Sequence, residues 1–157
     1  MIYILTKETG LSIFIYSYRI KNLNLHPPNL LSFEAKKKNN YFFIQQYNVQ
    51  DYFENIRNSY YKKVIIHCFF EIILKTLVLN QKETKIFNLT LSFLKYLEKA
   101  RNYKLLLPNF QKLLKNYIVL IGYPTKDLST IHQMIDYLEK ISEKEILSKH
   151  LLNEIQA

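Results

Sequence analysis

The spacing of apolar residues changes once along this chain, near residue 50, and this change constrains the fold more than any other feature. Before it, apolar side chains alternate between two faces over short runs, as in residues 11–18. After it, they recur every three or four positions, as in Ile86, Leu89 and Phe93. Alternation is typical of strands and the longer period of helices. The sequence therefore predicts an α+β chain, with a β-region first and an all-helical region second.

The β-region is predicted to contain four strands, at residues 2–5, 11–18, 30–35 and 41–47. Gly10 ends the first turn, where it accommodates a positive φ if the turn requires one. The lysines and asparagines at 36–40 are interpreted as a solvated hairpin loop between the last two strands.

Five or six helices are predicted beyond residue 50. The candidate N-terminal caps are Asp51, Ser59, Asp127 and Ser142, the last with Glu145 at capping-box spacing. Gly122 ends the fourth helix. No flexible linker separates the two regions, so we expect a β domain at 1–50 to pack on a helical domain at 51–157.

Several kinds of catalytic site need residues that this chain uses sparingly. It has one cysteine, Cys68, and only two glycines, so neither a Cys-based zinc site nor a Gly-rich phosphate loop is expected. The four histidines have no metal-ligand spacing. His67 and Glu71 lie one helical turn apart and are interpreted as a structural pair, with an enzyme site built on them as an alternative. The sequence predicts no enzyme, no cofactor and no metal.

The most apolar stretch, residues 64–79, contains His67, Glu71 and Lys75. It is shorter than the roughly 20 residues that cross a bilayer. The N-terminus has no basic segment ahead of an apolar one, so no signal peptide is expected. We expect a protein without a membrane span, located in a bacterial cytoplasm.

The formal net charge of +9 is distributed unevenly. Residues 1–50 contain 6 basic and 2 acidic side chains, residues 51–104 contain 10 and 5, and residues 105–157 contain 6 and 6. A basic excess favours polyanionic partners. The codon bias of an AT-rich genome would also give a Lys-rich composition without such a partner.

Basic residues of the β-region are interleaved with aromatic ones, a combination that OB-type surfaces use to bind single strands. Cations would contact phosphates, and aromatic faces would stack on bases. The predicted DNA-binding residues in this region are Lys7, Arg19, Lys21, Lys36, Lys37 and Lys38. A second group, Arg57, Lys62 and Lys63, would extend the positive face onto the helices.

Segments along nearly the whole chain resemble, in the same order, the bacterial recombination mediator RecO, particularly its Bacteroidetes-like forms. The N-terminal part of the resemblance lies in residues 4–11, Arg19-Ile20-Lys21 and residues 25–31, where Pro27 replaces the usual Gln. The C-terminal part lies in Phe70-Glu71-Ile72-Ile73 and in residues 110–124, 135–138 and 148–155.

The resemblance implies a partial OB-type β-barrel followed by an all-helical domain. It also implies a non-catalytic mediator of DNA repair and homologous recombination in the RecF pathway. Such a protein binds single- and double-stranded DNA and anneals strands. It works with RecR and single-strand-binding protein so that RecA is loaded, which makes RecA an indirect partner.

The chain also departs from the family. The first barrel strand is expected to be missing before Met1, and the segment after Pro124 is short. Family members that bind zinc use several cysteines, so zinc is not carried over to Cys68. Together with the composition, the shortening suggests a reduced genome.

Two further functions remain open. A helical protein-interaction scaffold whose DNA-binding face has decayed would bind only RecR or single-strand-binding protein. The thin basic stretch at Arg19 and Lys21 favours this alternative. An RNA-binding, ribosome-associated factor would carry a similar charge pattern.

Overall fold

A computed structural model describes residues 1–16 and 27–156 of the chain. Four strands come first, namely β1 Ile2–Thr6, β2 Gly10–Tyr16, β3 Leu30–Lys38 and β4 Tyr41–Asp51. The described helices follow, namely α1 Glu54–Arg57, α2 Tyr60–Thr76, α3 Thr84–Lys99, α4 Leu106–Leu120, α5 Ile131–Ser142 and α6 Lys149–Gln156. A 3₁₀ turn, Tyr103–Leu105, precedes α4. The predicted α+β class, with the sheet first, is confirmed.

The four strands form one mixed sheet in the order β1-β2-β4-β3. The central pair, β2 and β4, is parallel, and the two outer pairs are antiparallel. Across the strands, Phe14 of β2 pairs with Ile2 of β1 on one side and with Phe42 of β4 on the other. Phe42 in turn pairs with Lys37 of β3. Among the described residues no ladder joins β1 to β3, so the sheet is open and these two strands form its edges.

The sheet is strongly curled. Phe14 of β2 and Phe33 of β3 pack edge to face with 5.1 Å between ring centroids, although β4 lies between their strands. In a flat sheet, strands that are second neighbours lie about 10 Å apart. The contact therefore places both rings on a concave face, where Phe42 also stacks on Phe14 at 5.1 Å.

The hairpin between β3 and β4 is tighter than the sequence predicted. The three lysines belong to β3, with Lys37 opposite Phe42 and Lys38 opposite Tyr41. Only Asn39 and Asn40 form the turn, and Asn39 adopts a φ of 55°. Asparagine tolerates this left-handed conformation better than most residues. The prediction of a loop at 36–40 was wrong because pairing with β4 outweighs the low strand propensity of lysine.

Of the four predicted helix caps, one is confirmed, and a second residue lies next to the expected helix without capping it. Ser59 caps α2, since its side chain accepts a hydrogen bond from the backbone N–H of Lys62. Asp51 accepts the N–H of Phe53 at 2.9 Å, but it is the last residue of β4. It therefore shapes the connection to α1 and is not the cap of that helix.

The other two predicted caps were wrong. Thr130, and not Asp127, caps α5, and it forms a capping box with Gln133. Ser142 ends α5, where its hydroxyl donates to the carbonyl of Leu138 at 2.8 Å. A serine can bond back to its own helix or cap the next one, and sequence spacing alone does not distinguish these choices.

The sheet and the helices share one hydrophobic core. Leu11 of β2 belongs to the buried cluster formed mainly by α2, α3, α4 and α5. The carbonyl of Leu11 also accepts the N–H of Asn80 at 2.7 Å, and the hydroxyl of Thr84 donates to the carbonyl of Lys7 at 3.2 Å. The expected packing of the two regions is therefore present. None of the described helices is long and apolar enough to cross a membrane.

Candidate nucleic-acid interface

The lysine triplet, Lys36, Lys37 and Lys38, forms an exposed basic strip along the end of an edge strand. Successive side chains of a strand point to opposite faces, so the strip has charge on both sides of the sheet. The Nζ atom of Lys37 lies 5.8 Å from the centroid of the Phe42 ring. The half-exposed ring of Tyr41 stands directly opposite Lys38. Cations and aromatic faces are thus adjacent at this end of the hairpin.

The register of the sheet separates Lys7 from this strip. Lys37 is level with Ile2, at the start of β1, whereas Lys7 is exposed just beyond Thr6 at the other end. Along a strand, five residues span about 17 Å. The sheet therefore does not place Lys7 beside the triplet. Arg19 and Lys21, the other predicted cations of this region, lie outside the described residues.

Arg57, Lys62 and Lys63 do not form one surface. The guanidinium of Arg57 hydrogen-bonds to Asn29 and lies 5.6 Å from the centroid of the Tyr52 ring. Lys63 is exposed, whereas Lys62 is only 4% exposed. The three cations of the predicted extension therefore lie in different surroundings: Arg57 makes a partly buried contact, Lys62 is nearly buried, and Lys63 is on the surface.

Lys62 lines a polar cleft of about 590 Å³ between the start of α2 and the end of α3. Lys99 and Arg101 lie on the α3 side of this cleft. Sequence reasoning missed these two cations because they are about 40 positions from Lys62. The signal available was the run at 99–104, in which three basic residues surround Tyr103.

One carboxylate, that of Glu98, also lines the cleft. Backbone N–H groups and a side-chain amide already donate hydrogen bonds to this carboxylate. It accepts the backbone N–H and the side-chain amide of Asn55 at 3.0 and 2.9 Å, and the N–H of Ile56 at 3.2 Å. Glu98, which belongs to α3, thereby accepts backbone N–H groups at the N-terminus of the neighbouring helix α1.

Exposed tyrosines stand beside the cleft. Tyr61 and Tyr103 have ring centroids 5.6 Å apart, and Tyr60 follows at 6.3 Å from Tyr61. About half of each tyrosine is exposed. The hydroxyl of Tyr60 donates to Glu154 of α6 at 2.6 Å. Open aromatic faces therefore adjoin a cationic cleft on the helical part of the protein.

Comparison with known proteins finds no matching family model, no matching curated protein and no matching solved structure.

A larger apolar groove, of about 1050 Å³, lies between the two sheet edges and helices α2 and α3. Consecutive residues of both edge strands line it, from Ile2 to Lys7 and from Leu30 to Phe33. Side chains of consecutive residues point to opposite faces of the sheet, so a groove lined by consecutive residues of an edge strand includes the main-chain edge of that stretch. Both unpaired edges therefore open into the same groove.

His67 and Glu71 do not form the pair that the sequence suggested. His67 is exposed at this groove, whereas Glu71 bonds to Lys75 at 2.6 Å and to the backbone N–H groups of Leu147 and Ser148 at 3.0 and 2.8 Å. Partial burial alone would raise the pKa of Glu71, but these bonds outweigh it and hold the pKa at about 2.

Glu71 thus stays charged and joins α2 to the segment before α6. Within the described part of the chain, no group of three or more His, Cys, Asp or Glu side chains is arranged to hold a metal ion.

Proposed function

We propose that this protein is a RecO-like mediator of DNA repair and homologous recombination that acts by binding DNA and not by catalysis. In this proposal it binds single- and double-stranded DNA without sequence preference and promotes strand annealing. RecR and single-strand-binding protein are its partners, and RecA is loaded as a result.

The strand order is the observation that carries the proposal. An OB barrel is a five-stranded Greek-key sheet in which the third and fifth strands are parallel neighbours. The described strands correspond in order to the second, third, fourth and fifth of such a barrel, since β2 and β4 are the parallel pair. The curl that brings Phe14 against Phe33 fits the same architecture. OB-type sheets are frequent platforms for single strands.

The basic strip on β3 supplies a surface for phosphates. Lys36, Lys37 and Lys38 are exposed, and none of them belongs to the two described ion pairs, Glu71–Lys75 and Glu139–Lys149. Contacts of this kind act through charge and do not distinguish bases.

A strand-annealing assay tests this proposal at the level of function. Two complementary labelled oligonucleotides coated with single-strand-binding protein should anneal faster when the protein is added. The Lys36→Gln/Lys38→Gln variant, which changes two lysines on one face of β3, should lose most of this acceleration. Equal annealing with and without the wild-type protein would contradict the proposal, and preferential competition by RNA would favour an RNA-binding factor.

The groove between the sheet edges supports a second candidate, a protein-interaction scaffold. Unpaired strand edges accept an extended peptide as an additional strand, and apolar neighbours select its side chains. In the groove, β1 and β3 offer both edges, and Phe70, Leu74 and Leu91 offer apolar contacts. The occupant in this candidate is an extended segment of RecR or single-strand-binding protein.

Replacing Leu74, which is 43% exposed at the groove, separates the two candidates. If the scaffold function holds, Leu74→Asp should weaken binding of purified RecR or single-strand-binding protein about tenfold and leave DNA binding intact. Val119→Asp on α4 is the matched control, since Val119 is exposed and does not line the groove. Equal effects of both variants would exclude the groove as the binding site.

A further inference from the structure

The cleft between α2 and α3 contains a cation that the protein itself does not neutralise. Lys62 is 96% buried, because only 4% of its surface is exposed, yet it belongs to neither of the two ion pairs within 4.0 Å in the described chain. Among the described residues, Nζ of Lys62 is not one of the fully buried side-chain nitrogens without a hydrogen-bond partner, so the ammonium keeps an accessible position, and Lys62 lines the cleft.

Other features of the cleft also favour an anionic ligand. Lys99 and Arg101 add two positive charges, whereas Glu98 supplies one negative charge that three N–H donors already occupy. The cleft also meets the N-terminus of α2, a helix of 17 residues that begins at Tyr60. Ser59 already accepts the backbone N–H of Lys62, so the start of α2 favours an anion in the cleft through the positive end of the helix dipole.

We propose that this cleft is a phosphate-binding site, in which Lys62 and Arg101 contact the oxygens and the dipole at the start of α2 adds to their attraction. The chemistry is that of a phosphate group, whether in free phosphate or in the backbone of a nucleic acid. Use of the site by DNA rests on the proposed function, whereas binding of the phosphate group does not.

The neighbouring tyrosines extend the site beyond a single anion. Tyr103 lines the cleft, and its ring is 5.6 Å from that of Tyr61. Aromatic faces beside a phosphate site are suited to stack on bases, so a strand whose phosphate enters the cleft would place a base against these rings. In this arrangement a single strand binds more tightly than free phosphate.

The test uses the isotope-labelled full chain, titrated first with inorganic phosphate and then with an oligo-dT, both at constant ionic strength adjusted with chloride. Amide resonances at the start of α2 should shift with either ligand. Lys62→Met keeps the length of the buried chain and removes the charge, and Arg101→Gln changes an exposed position if Lys62→Met does not fold. Each variant should weaken phosphate binding about tenfold.

Lys112→Gln is the matched control, since Lys112 is exposed on α4 and lies outside the cleft. Shifts spread over many lysine-rich surfaces, or phosphate affinity unchanged in both cleft variants, would overturn the site. If phosphate binds at the cleft and the oligonucleotide binds nowhere, the site stands and the proposed function fails. If the oligonucleotide binds and the cleft resonances do not respond, the proposed function stands and the cleft site fails.

Discussion

The backbone of Gly10 lies against the backbone of Gln81 so closely that a β-carbon on Gly10 would be 1.7 Å from the carbonyl oxygen of Gln81. Gly10 also has a φ of 70°, in the left-handed region that favours glycine. The β1–β2 hairpin therefore docks on the connection between α2 and α3 through a residue that has no side chain.

Gly10→Ala should destabilise the protein by about 3 kcal/mol or more, since it adds both backbone strain and a clash between the new methyl group and main-chain atoms. Urea unfolding followed by circular dichroism measures this change. Gly122→Ala is the matched control, because Gly122 has a φ of 92° and nothing within 4 Å of an added β-carbon. It should cost only about 1 kcal/mol of strain. Equal losses in the two variants would mean that the contact with Gln81 does not matter.

The ion pair and hydrogen bonds of Glu71 predict that part of the folding stability is lost in acid. Its pKa in the folded protein is about 2, below its usual value of 4.5, because bonds from Lys75, Ser148 and Leu147 outweigh the effect of partial burial. A lowered pKa stabilises the fold above the unfolded value, so this contribution should fall away as the pH drops from about 4.5 to about 2.

The Glu71→Gln variant checks this dependence. It should lose about 1 kcal/mol at neutral pH, a figure reduced for the solvent exposure of the site, and should show a flatter decline in acid. Unfolding midpoints measured from pH 7 to pH 2 give the comparison. Glu34→Gln, at an exposed position of β3, should keep the wild-type slope. A Glu71→Gln profile parallel to that of the wild type would refute the assignment.

Cys68 should be inert while the protein is folded. Its side chain is fully buried, and this burial raises the pKa of its thiol to about 12. Since the thiolate is the reacting species, a chromogenic disulfide reagent at pH 8 should modify Cys68 only as fast as the protein unfolds. Rapid modification of the native protein, with one equivalent released before unfolding, would contradict this placement.

Much of the fold could be predicted from the sequence because apolar periodicity reports directly on burial. The stripe of Ile86, Phe93 and Leu97 is buried on α3 as expected, and Ser59 caps α2. Details that depend on which part of the same chain a residue pairs with could not be predicted. Lys36 joins a strand only because β4 pairs with it, and Ser142 bonds back to Leu138 instead of starting the next helix.

The candidate site was less predictable for the same reason. Lys62 was expected beside Lys63 on one surface, but adjacent helical residues point about 100° apart, and only one of them is exposed. Lys99 and Arg101, the cations that accompany Lys62, come from the C-terminal end of α3 and from the segment just after it. Tertiary packing brings these side chains together, and no local pattern records it.

The salt dependence of single-stranded DNA binding tests the central claim most directly. Each phosphate contact contributes about 0.7 to the slope of log affinity against log salt for single strands. Lys36→Gln/Lys38→Gln, which changes two lysines on one face of β3, should therefore lower the slope by about 1.4 for every oligonucleotide sequence. The control Lys112→Gln/Lys115→Gln, at exposed positions of α4 with the same change in charge, should leave it nearly unchanged. If both double variants keep the wild-type affinity and slope, the strip on β3 does not bind DNA and the account is wrong.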